Sequence, residues 1–108
     1  MSCDIVSISV FNKDIKRLQK KYQNIKIDLN KLISQLKENP KIGTPIIGGC
    51  YKIRLPNSSV PTGKSGGFRV ITYYVDSQNN VYLLTIYSKS ELDNVPDSEI
   101  IELLQLVK

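Results

Sequence analysis

The order of the predicted secondary-structure elements places this chain in the α+β class. A short N-terminal strand is followed by two helical segments, then three strands, and a single helix ends the chain, which gives the order β-α-α-β-β-β-α. Because strands and helices are segregated, we expect a helical hairpin packed on an antiparallel-rich, four-stranded sheet. A chain of 108 residues has the size of one domain, so residues 1–108 are expected to form a single unit.

The first part of the chain predicts the N-terminal strand and the helical hairpin. Alternating apolar and serine residues over 5–10 indicate the strand, and Asn12 is a suitable N-cap for the first helix. Apolar residues then recur at helical spacing in two stripes, over residues 11–22 and 29–36. Pro40 ends the second helix, because proline disfavours helical geometry in the residue before it. The joint apolar face of the two helices needs a sheet to cover.

The second part of the chain predicts the remaining strands and the final helix. Strands are expected over 50–55, 68–75 and 81–88. The polar turn at 76–80 makes the last two an antiparallel pair, and both are apolar on both sides, which is typical of central strands. The final helix is expected from Asp97 or Ser98 onward, since either residue can serve as its N-cap.

The net charge of +5 is unevenly distributed. Residues 1–75 hold 13 Lys and Arg against 4 Asp and Glu, whereas residues 76–108 hold 2 against 6. A basic body with an acidic end favours a polyanionic partner for one face. The alternative is ordinary solvation of helix surfaces by lysine.

Several functional classes are excluded by composition. The chain contains no histidine, which removes Ser-His-Asp and Cys-His catalysis and argues against a zinc site. Cys3 and Cys50 show no disulfide or metal spacing, so we expect reduced thiols and no metal or cofactor. No apolar run is long enough for a membrane span, and the N-terminus lacks the features of a signal peptide. The expected compartment is the cytoplasm.

The stretch from 50 to 91 combines apolar strands with cations and contains only two acids. In antiparallel neighbours the start of one strand lies beside the end of its partner. Arg69 is therefore expected to meet Tyr87 or Lys89 at one edge of the sheet. Each cation alone could simply extend from an apolar strand into water. Their convergence favours a binding site instead, and the five cations are Lys52, Arg54, Lys64, Arg69 and Lys89.

Converging guanidinium and ammonium groups suit a phosphate-bearing substrate. Arginine donates to two phosphate oxygens at once, and several such groups stabilise the charge of a pentacoordinate phosphorus transition state. A lysine or a tyrosine could move the proton of a ribose 2′-hydroxyl, so RNA cleavage would need no metal. Gly63-Lys64-Ser65 does not indicate a nucleotide-binding P-loop, because Ser58 stands where its first glycine is required and a strand follows.

Three segments resemble the RelE/ParE superfamily of type II toxin–antitoxin toxins, and within it the HigB-like branch. They are GCYKIRL at 49–55, GKSGGFRV at 63–70 and IYSKSE at 86–91. The resemblance extends over essentially the whole chain. It implies a RelE-like fold and a ribosome-dependent mRNA endoribonuclease, an mRNA interferase. In that reaction the 2′-hydroxyl attacks the adjacent phosphate and leaves a cyclic phosphate and a free 5′-hydroxyl.

The resemblance also implies roles for individual residues and partners. Arg69 corresponds to the phosphate-stabilising arginine of the family, whereas the C-terminal tyrosine of RelE has no counterpart here. The implied partners are the ribosome, mRNA and a cognate antitoxin with a helix-turn-helix DNA-binding fold. The resulting prediction assigns catalysis to Arg54, Arg69, Tyr87 and Lys89, and RNA phosphate binding to Lys52 and Lys64.

Two other functions remain open from the sequence. One is a non-catalytic toxin on the same fold that inhibits DNA gyrase, as ParE-like members do. The clustered cations argue against it, because an inhibitor of that kind does not need converging phosphate ligands. The other is a basic RNA-binding module without chemistry, which should bind RNA with a steep salt dependence and leave it intact.

Overall fold

The computed structural model describes residues 3–60 and 67–107 and has the predicted α+β architecture. A five-stranded mixed sheet has the order β1-β5-β4-β3-β2, and only the β1–β5 pair is parallel. The strands are β1 (Asp4–Ser7), β2 (Thr44–Pro45), β3 (Cys50–Leu55), β4 (Phe68–Val75) and β5 (Asn80–Ser88), and the helices are α1 (Ser9–Gln19), α2 (Ile25–Glu38) and α3 (Asp97–Gln105). The prediction of four strands was one short, because the two-residue β2 adds to the free edge of β3.

The sheet lies between two unequal apolar layers. On one face α1 and α2 pack over the sheet, with Phe11, Leu32 and Phe68 at the centre of a large core. On the other face α3 forms a smaller core around Ile71 and Leu84. Because α3 is short, it covers only part of that face. The rest of the face, towards the C-terminal ends of β3 and β5, is where the basic residues lie.

The N-terminal strand is shorter than the alternation at 5–10 predicted. It ends at Ser7, and α1 begins at Ser9 with Ile8 rather than Asn12 as its N-cap. Ile8, Phe11 and Ile15 recur at helical spacing, whereas residues 5–10 alternate as in a strand. A short apolar run of this kind is compatible with both structures. Burial of the helical stripe against the sheet decided between them. In the structure Asn12 instead continues the first helical turn, and its N–H donates to the carbonyl of Ile8.

The C-terminal helix α3 begins at Asp97, and its N-cap is Pro96, without a side-chain cap. The helix packs against a single 3-10 turn at Ile47–Gly49. Gly48 has φ of +74° there, and a Cβ at this position would lie 2.5 Å from Leu104 Cδ1. Only glycine combines that backbone conformation with so close an approach. Among the described residues, no helix has the length and hydropathy required to cross a membrane.

The register between β4 and β5 shifts by one residue partway along the pair. Ile71 lies opposite Thr85, but the next residue, Thr72, lies opposite Leu83. Leu84 is therefore an extra residue in β5, and the irregularity is a β-bulge.

The bulge decides which core each side chain of β5 enters. Val81 and Leu83, before the bulge, pack with α1 and α2. After the bulge Ile86 packs there instead, and Tyr87 joins the core beneath α3. Side chains of a regular strand alternate with a period of two, so without the bulge Tyr87 would point into the helical-hairpin core.

Replacement of Leu32 by alanine is expected to lower the free energy of unfolding by about 2–5 kcal/mol, because Leu32 is fully buried on α2 and alanine leaves a cavity. Ile27 lies on the same helix but is 56% exposed, so Ile27→Ala should change stability by no more than about 0.5 kcal/mol. Urea unfolding monitored by circular dichroism measures both. Equal losses in the two variants would contradict the orientation of α2.

Candidate anion-binding pocket

The register of three strands creates a row of polar side chains across the sheet. Arg54 on β3 lies directly opposite Arg69 on β4, and Arg69 lies directly opposite Tyr87 on β5. Like charges in directly opposed positions of an antiparallel pair repel each other. The row therefore concentrates positive potential at one end of the sheet, beside the part of the face that α3 leaves uncovered.

An open pocket of about 420 Å³ lies over this row. Four strands and the segment after β5 contribute to it. Five of the six predicted site residues line this pocket, whereas the sixth, Lys64, lies outside the described residues. The lining consists of Thr44, Lys52, Arg54, Arg69, Tyr87, Lys89 and Asp93.

Arg69 is the most buried cation of the pocket, with 7% of its surface exposed. Its Nη1 donates to the carbonyl oxygen of Phe68 at 3.2 Å. Within residues 3–60 and 67–107, no carboxylate forms an ion pair with Arg69 or with Arg54. A guanidinium has five N–H donors, so most of the hydrogen-bonding capacity of Arg69 is available to an anion in the pocket.

Gly67 allows β4 to start close to β3. A Cβ on Gly67 would lie 2.6 Å from the carbonyl oxygen of Leu55, closer than a real Cβ contact. The carbonyl of Gly67 in turn accepts a hydrogen bond from the N–H of Lys89 at 3.1 Å. The glycine thus holds the ends of β3, β4 and β5 together at the pocket, which fixes the backbone on both sides of Arg69.

Tyr87 places a protonated phenol beside the guanidinium of Arg69. The residue is 3% exposed, and its hydroxyl has no hydrogen-bond partner among the described residues. Burial raises the pKa of Tyr87 above its ordinary value of 10.0, the charge of Arg69 opposes this rise, and the carboxylate of Asp93 adds to it. At neutral pH the side chain is therefore a neutral hydrogen-bond donor.

The two lysines of the pocket are held by residues of the segment that follows β5. Lys89 Nζ donates to Asp93 Oδ1 at 2.7 Å and to the carbonyl of Asp93 at 3.2 Å. Lys52 Nζ donates to Asn94 Oδ1 at 3.0 Å. Hydrogen bonding and charge from Lys89 lower the pKa of Asp93 below its usual value. Asp93 thus presents an ionised carboxylate where an external anion would meet Lys89.

Sequence reasoning did not identify Asp93 and Thr44 as part of this pocket. Asp93 follows Lys89 by four residues, but outside a helix that spacing carries no contact information. Thr44 enters through β2, which was not predicted. Glu91, two residues after Lys89, does not line the pocket and instead forms an ion pair with Arg17 at 3.0 Å.

The described part of the chain offers few side chains that could together ligate a metal ion. Within residues 3–60 and 67–107, no group of three or more Cys, Asp and Glu side chains is placed to hold a metal ion. Cys3 and Cys50 are both buried and free of disulfide bonds. The chemistry of the pocket therefore depends on guanidinium, ammonium, phenol and carboxylate groups.

This fold and this pocket define a small α+β protein whose sheet carries a cationic face. Residues 9–108 match the family model described as the RelE toxin of the RelE/RelB toxin–antitoxin system. The match extends over nearly the whole chain, so the chain belongs to the RelE toxin family. The narrower resemblance to the HigB-like branch stays a prediction.

Solved structures show the same fold at low sequence identity. A free double arginine-to-alanine mutant of Escherichia coli RelE matches with a TM-score of 0.60 and 19% identity over 86% of this chain and 90% of that chain. A chain of the intact E. coli RelBE toxin–antitoxin complex matches with a TM-score of 0.59 and 20% identity over 79% of this chain and 94% of that chain. A chain of the Mycobacterium tuberculosis toxin–antitoxin complex RelBE2 matches with a TM-score of 0.58 and 13% identity over 82% of this chain and 99% of that chain.

Replacement of Tyr87 by phenylalanine should leave stability at neutral pH unchanged or slightly higher, because the hydroxyl is buried without a partner. The raised pKa means that the folded protein resists ionisation of Tyr87. Stability from this group is therefore complete below the ordinary pKa of 10.0 and is lost as pH rises towards the raised value. The phenylalanine variant lacks that loss.

Urea unfolding of both proteins at about pH 8 and about pH 11 checks this prediction, since the ordinary tyrosine pKa lies between them. The difference in unfolding free energy between variant and parent should increase at the higher pH. A difference that is the same at both values would show that Tyr87 is not buried as described.

Proposed function

We propose that this protein is the toxin of a type II toxin–antitoxin system and cleaves mRNA on the ribosome without a metal ion. The observation that carries the proposal is the cross-strand row of Arg54, Arg69 and Tyr87. It combines in one pocket a protonated phenol and two guanidinium groups that form no ion pair with any described residue. Membership of the RelE toxin family supports the toxin role.

Arg69 is the group best placed to stabilise the transition state of such a cleavage. Attack of a ribose 2′-hydroxyl on the adjacent phosphate forms a pentacoordinate phosphorus with an added negative charge. A buried guanidinium without a carboxylate partner interacts more strongly with that charge than a solvated one does. Arg54 is exposed and lies opposite Arg69, so it can bind the neighbouring phosphate or a second oxygen of the same one.

The cleavage needs two proton transfers, one to the departing 5′-oxygen and one from the 2′-hydroxyl, and Tyr87 and the lysines are the groups that can perform them. The raised pKa of Tyr87 keeps its hydroxyl protonated at neutral pH, which suits donation to the departing 5′-oxygen rather than removal of the 2′-hydroxyl proton. That assignment leaves Lys52 and Lys89 for the other transfer, in which a lysine first releases one of its own protons to water and then, as a neutral amine, accepts the 2′-hydroxyl proton. The products would be a 2′,3′-cyclic phosphate and a free 5′-hydroxyl.

The proposal includes an antitoxin and a site of action. The matching E. coli and M. tuberculosis structures are of toxin–antitoxin complexes, so we propose a cognate antitoxin for this chain, with a helix-turn-helix DNA-binding fold. The toxin would act on mRNA in the decoding site of the cytoplasmic ribosome, and the lysine-rich surfaces of α1 and α2 support binding to RNA. Lys64, outside the described residues, stays a predicted phosphate ligand.

Replacement of Arg69 by methionine should reduce ribosome-dependent mRNA cleavage by about 10²-fold or more, because methionine keeps an apolar stem but has no charge for the transition state. Thermal stability should be unchanged or higher, since the variant also removes the repulsion from Arg54. Primer extension on mRNA in a purified translation system measures cleavage, and circular dichroism measures stability.

Lys41→Met, at an exposed lysine outside α1, α2 and the pocket, serves as the matched control and should retain activity. Full cleavage by Arg69→Met would overturn the site assignment. Intact mRNA with the parent protein, combined with lost supercoiling by DNA gyrase, would favour the ParE-like function. RNA binding without either effect would favour a binding module.

Replacement of Asp93 by asparagine should strengthen binding of short single-stranded RNA and make it more dependent on salt, because Lys89 is then free to contact phosphate. Each additional phosphate contact changes the slope of log affinity against log salt concentration by about 0.7 for single strands. Asp76→Asn, which frees Lys41 away from the pocket, is the control. Fluorescence anisotropy at several salt concentrations measures the slope, and equal slopes for Asp93→Asn and the parent would show that Lys89 does not contact RNA.

A further inference from the structure

The free edge of β5 is bordered by side chains of α1 rather than by another strand. β1 pairs with β5 only as far as Ser7 opposite Leu83. Beyond that point Asp14 Oδ2 accepts a hydrogen bond from Thr85 Oγ1 at 2.6 Å and one from the N–H of Ile86 at 3.3 Å. A carboxylate therefore takes the place of the missing strand at the first residues after the bulge.

A second carboxylate occupies the next free position on the same edge. The N–H of Ser88 donates to Glu91 Oε1 at 3.4 Å. Arg17 Nη1 donates to both carboxylate oxygens of Glu91 at 3.0 Å, and its Nη2 lies 3.8 Å from Asp14 Oδ1. Arg17 thus connects the two carboxylates across the gap between α1 and the segment that follows β5.

These contacts lie just beyond the bulge, where the alternation of side chains between the two faces of β5 is shifted by one residue. Thr85 and Ile86 are the first residues beyond the extra residue Leu84. If β5 returned to regular alternation there, Tyr87 would leave the row with Arg54 and Arg69 and enter the core beneath α1 and α2. A contact that fixes the backbone at Ile86 therefore also fixes the orientation of Tyr87.

The carboxylate of Asp14 lies in a partly buried environment that disfavours its charged form. Burial raises the pKa of Asp14 above its usual value, and the hydrogen bonds from Thr85 and Ile86 and the charge of Arg17 oppose that rise. Its side chain is 19% exposed, compared with 52% for Arg17. A partly desolvated acid whose main partners are the two residues after a bulge is better explained by a role at the bulge than by solubility.

We propose that Asp14, Arg17 and Glu91 form a clamp that holds the bulge of β5 and thereby positions Tyr87 beside Arg69 in the pocket. Asp14 is the principal positioning residue, and Arg17 and Glu91 secure it. The three residues touch no substrate and act through the backbone of β5. For catalysis, this inference rests on the proposed ribonuclease function, whereas its structural part does not.

Two readouts on four variants test the clamp. Asp14→Ala removes both hydrogen bonds at the bulge, Thr85→Val removes only the hydroxyl contact, and Asp14→Asn keeps an oxygen acceptor. Ile15→Val, the adjacent position on α1, is the control, because it loosens the buried face of the same helix and leaves both hydrogen bonds of Asp14 in place. One readout is the single-turnover cleavage rate at saturating ribosomes together with the ribosome concentration at half-maximal rate.

The other readout is the NMR signal of the Tyr87 ring in protein labelled with carbon-13 tyrosine, assigned with Tyr87→Phe. Asp14→Ala should shift or broaden that signal and lower the cleavage rate by about 10- to 100-fold, because small displacements of a reacting group cost that much. The half-maximal ribosome concentration should change less than about twofold, since the clamp does not bind substrate. Asp14→Asn should recover most of the rate, and Thr85→Val should lie between it and Asp14→Ala.

The inference is overturned if the Tyr87 signal of Asp14→Ala matches that of the parent, whether or not cleavage is reduced. It is also overturned if Ile15→Val shifts the signal as much as Asp14→Ala does, since general loosening of α1 would then explain the effect. If the parent protein cleaves no mRNA, the proposed function fails, and the Tyr87 signal still decides whether the clamp positions that side chain.

Discussion

The sheet holds Arg54 and Arg69 directly opposite each other, and no carboxylate of the described residues pairs with either of them. This arrangement is unfavourable on its own, because like charges repel and a buried guanidinium loses hydration. It is maintained because β4 is an inner strand with apolar layers on both faces, so the chain cannot relieve the repulsion by local movement. The packed core and the two arginines therefore belong to one arrangement, in which packing energy holds the guanidinium groups close together despite their repulsion.

The two apolar layers have different roles in the fold. The helical hairpin of α1 and α2 supplies most of the buried apolar surface, and the hydrophobic effect scales with that area. The smaller core under α3 orients the inner parts of β3, β4 and β5 but leaves their ends open. A larger C-terminal helix would cover the basic row and add stability, but it would close the pocket. The short α3 thus fits the proposed function, in which the sheet face binds RNA.

Much of this arrangement could be predicted from residue patterns alone. The alternation in β3 and the apolar run of β4 identified both strands with their observed ends, and the turn before β5 predicted the antiparallel pair that brings Arg69 opposite Tyr87. The bulge could not be predicted, because Leu83 and Leu84 are both apolar and fit either face. The contacts of Asp14 and Asp93 could not be predicted either, because each depends on how two separate segments of the chain are placed in the folded structure. Patterns identify periodic elements, whereas side chains that act across elements need the assembled fold.

The bulge at Leu84 also has a consequence for how this chain can change in length. Deletion of Leu84 would leave Leu83 opposite Thr72 and Thr85 opposite Ile71 in a regular ladder, so Ile86 and Tyr87 would keep their present sides. Insertion of one residue between Thr85 and Tyr87, with the bulge unchanged, would instead turn Tyr87 into the core of the helical hairpin. The bulge thus makes Leu84 a position where the chain can shorten by one residue at the cost of an apolar contact beneath α3, without moving Tyr87 away from Arg69.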